Sequence, residues 1–548
     1  PSHAQSLIPG VELKAELGEE YSTTTQTSAN VRLDYNRSFG HHNLAALLGV
    51  GADRTHYQLR TLSASDFFNE SDMDNIGSAN TYLPIMDAYA RGGLNSTYAR
   101  VSYDYAQRYL TELSLRSDAS SKFGPNNRTA VFPAVSLGWR LGNEPFMAGA
   151  CSWLDDLKLR LSWGKTGSTN VDDFSYLRYY SKGGRYGEKP GVWLERNLPN
   201  RDIRWEITTE YNGGIDFSFF DHRLYGSIDL YNRTTKGALV NSPYLAESGM
   251  NSYTSNLIDM SNRGFELELG GDIVRTADFT WSTSFNIASN RNKVLKLNGA
   301  NLNSQMQDLI VEGEPVGVIK GFRTKGIAKD QAEIDRLNAQ AAAKGYGAYQ
   351  TSLGVGDYIL EDVNGDGRIT SDDRTVIGSP LPKFFGGWNH TLTYRNVDLS
   401  LFMQFSQGGK AFYSDVGLDL ESTLGQSITR ETFRRTWTPE RRDALFPRLV
   451  YGQYSSYNAK TNDRMIYSTS YLRMKNITLT YRLPKAALRL VGVQSASVFA
   501  MVTNLFTLTA WPGLDPELVG SGIHRGQGND ADPYPLSRTV SFGVHLQF

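Results

Sequence analysis

The last ten residues, TVSFGVHLQF, alternate without a break. Val540, Phe542, Val544, Leu546 and Phe548 are apolar, and Thr539, Ser541, Gly543, His545 and Gln547 separate them. A period of two puts every apolar side chain on one face of a strand and every polar one on the other. The pattern returns in FELEL, with Phe265, Leu267 and Leu269 against Glu266 and Glu268, and in LKLRLSW, with Leu157, Leu159, Leu161 and Trp163 against Lys158, Arg160 and Ser162. FTWSTSFNI sets Phe279, Trp281, Phe285 and Ile287 against Thr280, Ser282, Ser284 and Asn286.

A soluble sandwich could receive such strands, but its strands run to about five or six residues. Runs of about ten residues, rich in Tyr, Trp and Phe, suit a transmembrane barrel whose apolar face meets lipid and whose polar face lines the lumen. Full charges at the alternate positions point to a wet lumen, because an unpaired charge in a dry core is costly. Composition agrees: aromatics reach 12%, with 30 Tyr, and mean hydropathy is −0.40. There is no run of the roughly 18 apolar residues that a spanning helix needs. With 56 Lys+Arg against 57 Asp+Glu, no basic surplus is left for nucleic acid.

Links between the runs alternate short and long, as in outer-membrane barrels. SFGHH near Phe39, YAQR near Ala106, FFDHR near Asp221, RTAD near Thr276 and RNVD near Asn396 are short. The stretches 166–207, 298–385 and 413–470 are long and rich in Gly, Asn, Asp, Ser and Tyr. About 16 strands are predicted between Val11 and Phe548. With the last strand ending on the periplasmic side, the long stretches fall outside the cell, 298–385 among them.

Within that insertion, EDVNGDGRITSDD (Glu361 to Asp373) has the spacing of a calcium loop. Asp362, Asn364 and Asp366 take the first three side-chain positions, Gly367 the tight turn, Arg368 the backbone-carbonyl position, Ile369 the apolar anchor and Asp373 the closing acid. Ca2+ is the expected ion, and Asp rather than Glu at the close leaves Mg2+ as an alternative. The competing reading is an Asp/Asn/Gly turn held by its own side-chain hydrogen bonds. No pair of EF-hand helices flanks it. The one predicted helix, DQAEIDRLNAQAAAK from Asp330, has a narrow stripe of Ala332, Ile334, Leu337 and Ala341, suited to packing on outer loops or a partner.

Other motifs carry little chemistry. WGKTGST at Trp163 imitates a phosphate loop, but the first glycine would fall at Leu159. His3, His41, His42, His56, His222, His390, His524 and His545 show no His-x-x-x-His spacing, and His41 and His42 read as turn or interface residues. There is no Gly-x-Ser-x-Gly elbow, and no enzyme is expected. A single cysteine, Cys151, excludes an internal disulfide. Glu266, Glu268 and Asp229, with Lys158 and Arg160, are expected to pair across strands, contact with substrate or plug being the alternative. Tyr176, Tyr180, Tyr186 and Trp193 can stack on sugar rings, pack the loops or make contacts to a lid. PSHAQSLIPG contains no signal peptide, which suits a cytoplasmic protein or a mature or truncated chain.

The wording of the strands is itself informative. YNRSFGHHNLAALLGV from Tyr35, YARVSYDYAQRYLTELSLRSDASSKFG from Tyr98, VFPAVSLGWRLGNEPFM from Val131, LKLRLSWGKTGSTNV from Leu157 and SNRGFELELGGDIV from Ser261 form one set. DVNGDGRITSDD from Asp362, YLRMKNITLTYRLP from Tyr471 and GLDPE from Gly513 complete it. Together, over nearly all of the chain, they resemble the C-terminal barrel portion of SusC/RagA-like TonB-dependent outer-membrane transporters of Bacteroidota. The resemblance implies an all-β, transmembrane antiparallel outer-membrane barrel over residues 1–548, about 16 strands of a family barrel of about 22, with 298–385 as an extracellular insertion. The family's signal peptide, carboxypeptidase-regulatory-like domain and plug are not recognisable in it, so a fragment is expected. It also implies active import of oligosaccharides, other glycans or peptides, a SusD-like surface lipoprotein as lid, TonB acting through the N-terminal part, outer-membrane lipids around the wall and room for a higher-order complex. Phe548 resembles the terminal aromatic that marks clients for outer-membrane assembly. A passive 16-stranded porin and a non-transporting surface-binding barrel are the alternatives.

Overall fold

A strand that spans lipid must pass its backbone hydrogen bonds to neighbours on both sides, and consecutive hairpins supply them here. The computed structural model of the chain describes residues 16–67, 75–83, 85–147, 152–187, 189–194, 197–244, 246–300, 302, 309–421, 427–450, 457–484, 488, 493–518 and 536–548. His3, Val11, Cys151 and His524 lie outside the described residues, as do the side chains of Tyr186 and Trp193.

Fifteen long strands are described, where about 16 are expected: β1 (Glu16–Phe39), β2 (His42–Phe67), β3 (Met86–Tyr105), β4 (Tyr109–Ser120), β5 (Thr129–Arg140), β6 (Leu154–Ser168), β7 (Glu206–Phe219), β8 (Leu224–Pro243), β9 (Ser252–Arg275), β10 (Phe279–Lys296), β11 (Phe384–Tyr394), β12 (Val397–Gln407), β13 (Tyr471–Arg482), β14 (Ser495–Thr509) and β15 (Thr539–Gln547). The fold is all-β and antiparallel, of the outer-membrane barrel type. No helix among the described residues is long and apolar enough to cross a membrane. The third long connection opens at residue 408, slightly earlier than its composition indicates.

Contacts divide the chain into two compact units. One comprises residues 1–136, 163–209 and 236–256, the other 137–162, 210–235 and 257–548, so β5 to β9 contribute residues to both. In the first unit, β1 pairs with β2 from Phe39↔His42 to Glu16↔Ser65, β2 with β3 from His42↔Tyr105 to Thr61↔Met86, and β3 with β4 from Tyr105↔Tyr109 to Leu94↔Ser120. The turns are tight. Gly40 has φ +59°, and Ala106 and Gln107 also adopt the left-handed region, with the Gln107 N–H donating to Asp104 at 2.6 Å. At 24 and 26 residues, β1 and β2 exceed the roughly 9–11 that cross a bilayer. Their turn-distal ends, with YSTTTQTSAN in β1, are polar and extend past the apolar band.

In the second unit β9 through β15 pair each with the next, always antiparallel. The alternation appears as exposure: Phe542 is 80% and Val544 63% exposed on β15. Irregularities interrupt the ladder at Asp272/Val274 and Met474/Asn476. The second reverses parity, so the outward series on β13 passes from Leu472 to Leu479 and Tyr481.

Closely packed apolar cores sit in the connections and at the strand ends beside them. In the first unit Phe123, Phe132, Tyr176, Ile203 and Trp205 form one. In the second, the connections β10–β11 and β12–β13 share a larger one that includes Ile334, Leu337, Tyr358, Leu360, Phe446 and Met465. The predicted helix, α1 (Gln331–Ala343), starts at the Asp330 cap, whose carboxylate accepts the Glu333 N–H at 2.9 Å. Its buried stripe is Ile334, Leu337 and Ala341, whereas Ala332 is exposed. It packs into the connection core.

Candidate functional site

Several charges on the polar face of the strand wall are paired. On β6, Arg160 points to the side opposite Leu159 and Leu161 and forks between two carboxylates. Its guanidinium reaches Asp216 of β7 at 2.8 Å through Nε and Nη2, and Asp229 of β8 at 2.9 Å through Nη1 and Nη2. Lys158 stands 3.9 Å from Asp216. Bidentate arginine–carboxylate pairs across three strands fix register while keeping the face hydrophilic. Cross-strand pairing is therefore observed for Lys158, Arg160 and Asp229. Glu266 and Glu268 project exposed from β9. Asp216 was not singled out from sequence, although its parity on β7 relative to the exposed Ile215 places it on this face.

A second ion-paired cluster ties a connection to the wall. Arg473 of β13, 2% exposed, donates to Thr507 of β14 at 2.8 Å, to Asp515 at 2.6 Å and to Glu517 at 2.5 Å. Lys475 adds bonds of 2.8 and 2.7 Å to the two Glu517 oxygens. GLDPE thus supplies both acids, and YLRMKN both cations. A buried arginine with acids on two nitrogens is satisfied only while the segment after β14 stays docked.

The insertion is built like a small soluble domain. Asp357, 3% exposed, accepts from Arg448 at 2.7 and 3.0 Å and from the Asn458 amide at 2.8 Å. Asn458 in turn accepts the Tyr358 N–H at 2.9 Å. Residues about 90 to 100 apart in sequence are thereby joined, and two connections become one body. The Tyr349 phenol donates to the Leu360 carbonyl at 2.7 Å, and burial pushes its pKa up to about 12, so it remains a donor at any ordinary pH.

The calcium-like segment lies on this body. Asp362 accepts the Gly365 and Gly367 N–H groups at 2.7 and 2.8 Å, Asn364 that of Asp366 at 2.8 Å, and Asp366 that of Arg368 at 2.9 Å. Asp373 is fully buried and accepts Val363 N–H on one oxygen at 2.9 Å and Thr370 N–H on the other at 2.8 Å. Gly365 and Gly367, at φ +74° and +101°, take the left-handed positions. Ile369 is 4% exposed, anchored in the core as its position predicts, while the Arg368 guanidinium lies 4.4 Å over the Tyr346 ring. Asp362, Asn364, Asp366, Arg368 and Asp373 thus share one short loop. Among the described residues no group of three or more His, Cys, Asp or Glu has an arrangement that could hold a metal ion. Backbone donors occupy the carboxylates, although each oxygen has a further lone pair.

The remaining predicted residues fall in simpler places. Tyr176 is buried and accepts a hydrogen bond from Arg128 at 3.2 Å, so it packs its loops; Tyr180 is 66% exposed. His42 stacks on Phe39 at 5.1 Å and meets the Tyr103 hydroxyl at 2.7 Å, beside the β1–β2 turn. Phe548, one residue past β15, is 79% exposed, matching Phe542.

Comparison with known proteins is consistent with this arrangement. The family model described as "TonB dependent receptor-like, beta-barrel" matches residues 5–505. TonB-dependent receptor P3 of Formosa agariphila is 30% identical, the alignment covering 99% of this chain and 54% of that protein. TonB-dependent receptor SusC of Bacteroides thetaiotaomicron is also 30% identical, with the same coverage of 99% and 54%. The chain spans about half the length of the curated relatives it matches. The solved RagAB peptide transporter superposes with a TM-score of 0.82 at 24% identity, over 97% of this chain and 56% of that one, a likeness of fold.

Proposed function

The chain belongs to the TonB-dependent receptor-like β-barrel family of the outer membrane, and from that premise we propose that it serves as the barrel of a SusC/RagA-type nutrient importer. The observation that best supports this is the pairing of Arg160 with Asp216 and Asp229 on the polar face of the wall. A charged, register-locked surface of that kind suits a water-filled path. The insertion, with its own core, offers a firm outer surface on which a SusD-like lipoprotein would close, trapping an oligosaccharide or peptide. TonB would act through the family's N-terminal part. The wall contributes shape and polarity, and no bond is made or broken.

Uptake of labelled oligosaccharides and peptides tests the reading in cells that carry the full protein or a version lacking 298–385. Lost uptake with a correctly assembled barrel is expected. Unchanged uptake would overturn it in favour of a surface-binding barrel, and a stable open pore in planar bilayers would favour a passive porin.

The loop supports a second reading, resting on five ligand positions at the required spacing in one short segment. We propose that Ca2+, with Mg2+ as the alternative, binds Asp362, Asn364, Asp366, the Arg368 carbonyl and Asp373 as a staple for the insertion. Calorimetric titration with calcium should register binding. The absence of heat, together with unchanged protease sensitivity in chelator, would leave a turn held by backbone donors alone. Phe548 is proposed as the assembly signal, and its deletion should lower the amount of folded protein in the outer membrane.

A further inference from the structure

The wall of the second unit has a bare place on its outward face. Leu267 and Leu269 of β9 continue into Gly271, and a Cβ there would lie 2.2 Å from the Arg223 carbonyl, so only glycine admits the start of β8 at this distance. Gly271 stands opposite Thr283, and the ladder then shifts between Asp272 and Val274. Ile273, skipped by the register, is 48% exposed. A groove of about 640 Å³ results, lined by Leu224, Leu269, Ile273, Phe285 and Trp388, with Arg223 of the β7–β8 turn among its walls.

Parity assigns this groove to lipid. Leu269 and Phe285 belong to the apolar series, whereas their neighbours Asp272 and Ser282 bond to each other at 2.6 Å on the opposite face. The Trp388 indole donates to Thr283 at 2.9 Å, which fixes the ring at the edge of the groove, and Trp is the side chain favoured where acyl chains meet headgroups. Among the described residues the exposed Arg223 guanidinium has no hydrogen bond or ion pair. An unpaired guanidinium beside an apolar trough complements a phosphodiester with an acyl chain attached, since arginine forms bidentate bonds with phosphate oxygens.

We propose that the groove is a phospholipid site, in which one acyl chain lies over Gly271 between Leu224, Ile273 and Phe285 while Arg223 pairs with the lipid phosphate. The site is independent of what the lumen carries. It would anchor the β7–β8 turn and the bulge of β9 at one depth in the membrane.

Native mass spectrometry of the full protein, purified in detergent and titrated with palmitoyl-oleoyl phosphatidylglycerol, tests the site. Arg223→Gln is expected to weaken lipid retention about fivefold or more, and Ile273→Trp, which fills the groove, should do the same. Palmitoyl-oleoyl glycerol, which has the chains without the phosphate, should compete poorly. Heat-modifiable gel migration identifies folded protein, and either variant decides the matter if the other does not fold. Retention at the wild-type level in a folded variant, or equal competition by the phosphate-free lipid, would overturn the proposal.

Discussion

The strand wall and the insertion it supports solve the hydrophobic problem in opposite directions. On the wall the large apolar side chains face outward, with Leu230 59%, Leu479 49% and Phe542 80% exposed, and salt-bridged polar groups occupy the other face. In the insertion Tyr358, Leu360 and Phe446 are at 1%, 0% and 0%, and charges such as Asp357 are buried only where fully bonded. The wall therefore depends on lipid to cover it, whereas the insertion buries its own apolar surface as a water-soluble domain does. One chain holds two folding environments, and a given substitution should have opposite consequences in each.

The largest effect expected is that of Phe446→Ala. It should cost about 3–5 kcal/mol within the insertion, rendering 309–383 and 408–470 protease-sensitive while heat-modifiable migration reports an intact wall. Loss of both together would break the comparison. Leu230→Arg should do the reverse, costing about 2–4 kcal/mol near the middle of the apolar band and lowering the urea midpoint in vesicles with no change in proteolysis of the insertion. Asp357→Ala should cost about 2 kcal/mol, below the usual range for a broken buried pair because its partner can reach water; Arg448 is 36% exposed. It should free 408–470 from 309–383, visible as faster amide exchange at Tyr358. Asp362→Ala with Asp366→Ala should cost about 1 kcal/mol per lost bond, loosening only the loop. If added calcium protects the wild-type loop and not the double variant, the staple reading is sharpened. Glu268→Gln, on the exposed polar face, should stay within about 0.5 kcal/mol, and a larger change would show that the lumen is tighter than its exposure indicates.

Which features could be read from sequence follows from the same contrast. A wall strand meets lipid or lumen at every position, so Leu157–Trp163 and Phe265–Leu269 state their orientation in their own letters. The parity change at Met474/Asn476 is invisible, because a bulge is a property of two paired strands. Helix α1 was legible through its Asp330 cap and stripe, yet the core it enters was not. Phe322, Phe446 and Met465 share no period and meet only after two connections interleave. The ligand-like loop was legible as a turn, since Asp and Asn at alternate positions bond the chain two residues on. Its carboxylates' use of backbone donors became apparent only in three dimensions. Asp216, Asp515 and Glu517 were missed because a partner 42 or 56 residues away leaves no local pattern.

The bonds from Arg448 and Asn458 to Asp357 have a mechanical consequence. Because they lock two connections into one body, that body is rooted in the wall through four strand ends, those of β10, β11, β12 and β13. A load applied to that body is divided among four roots instead of two.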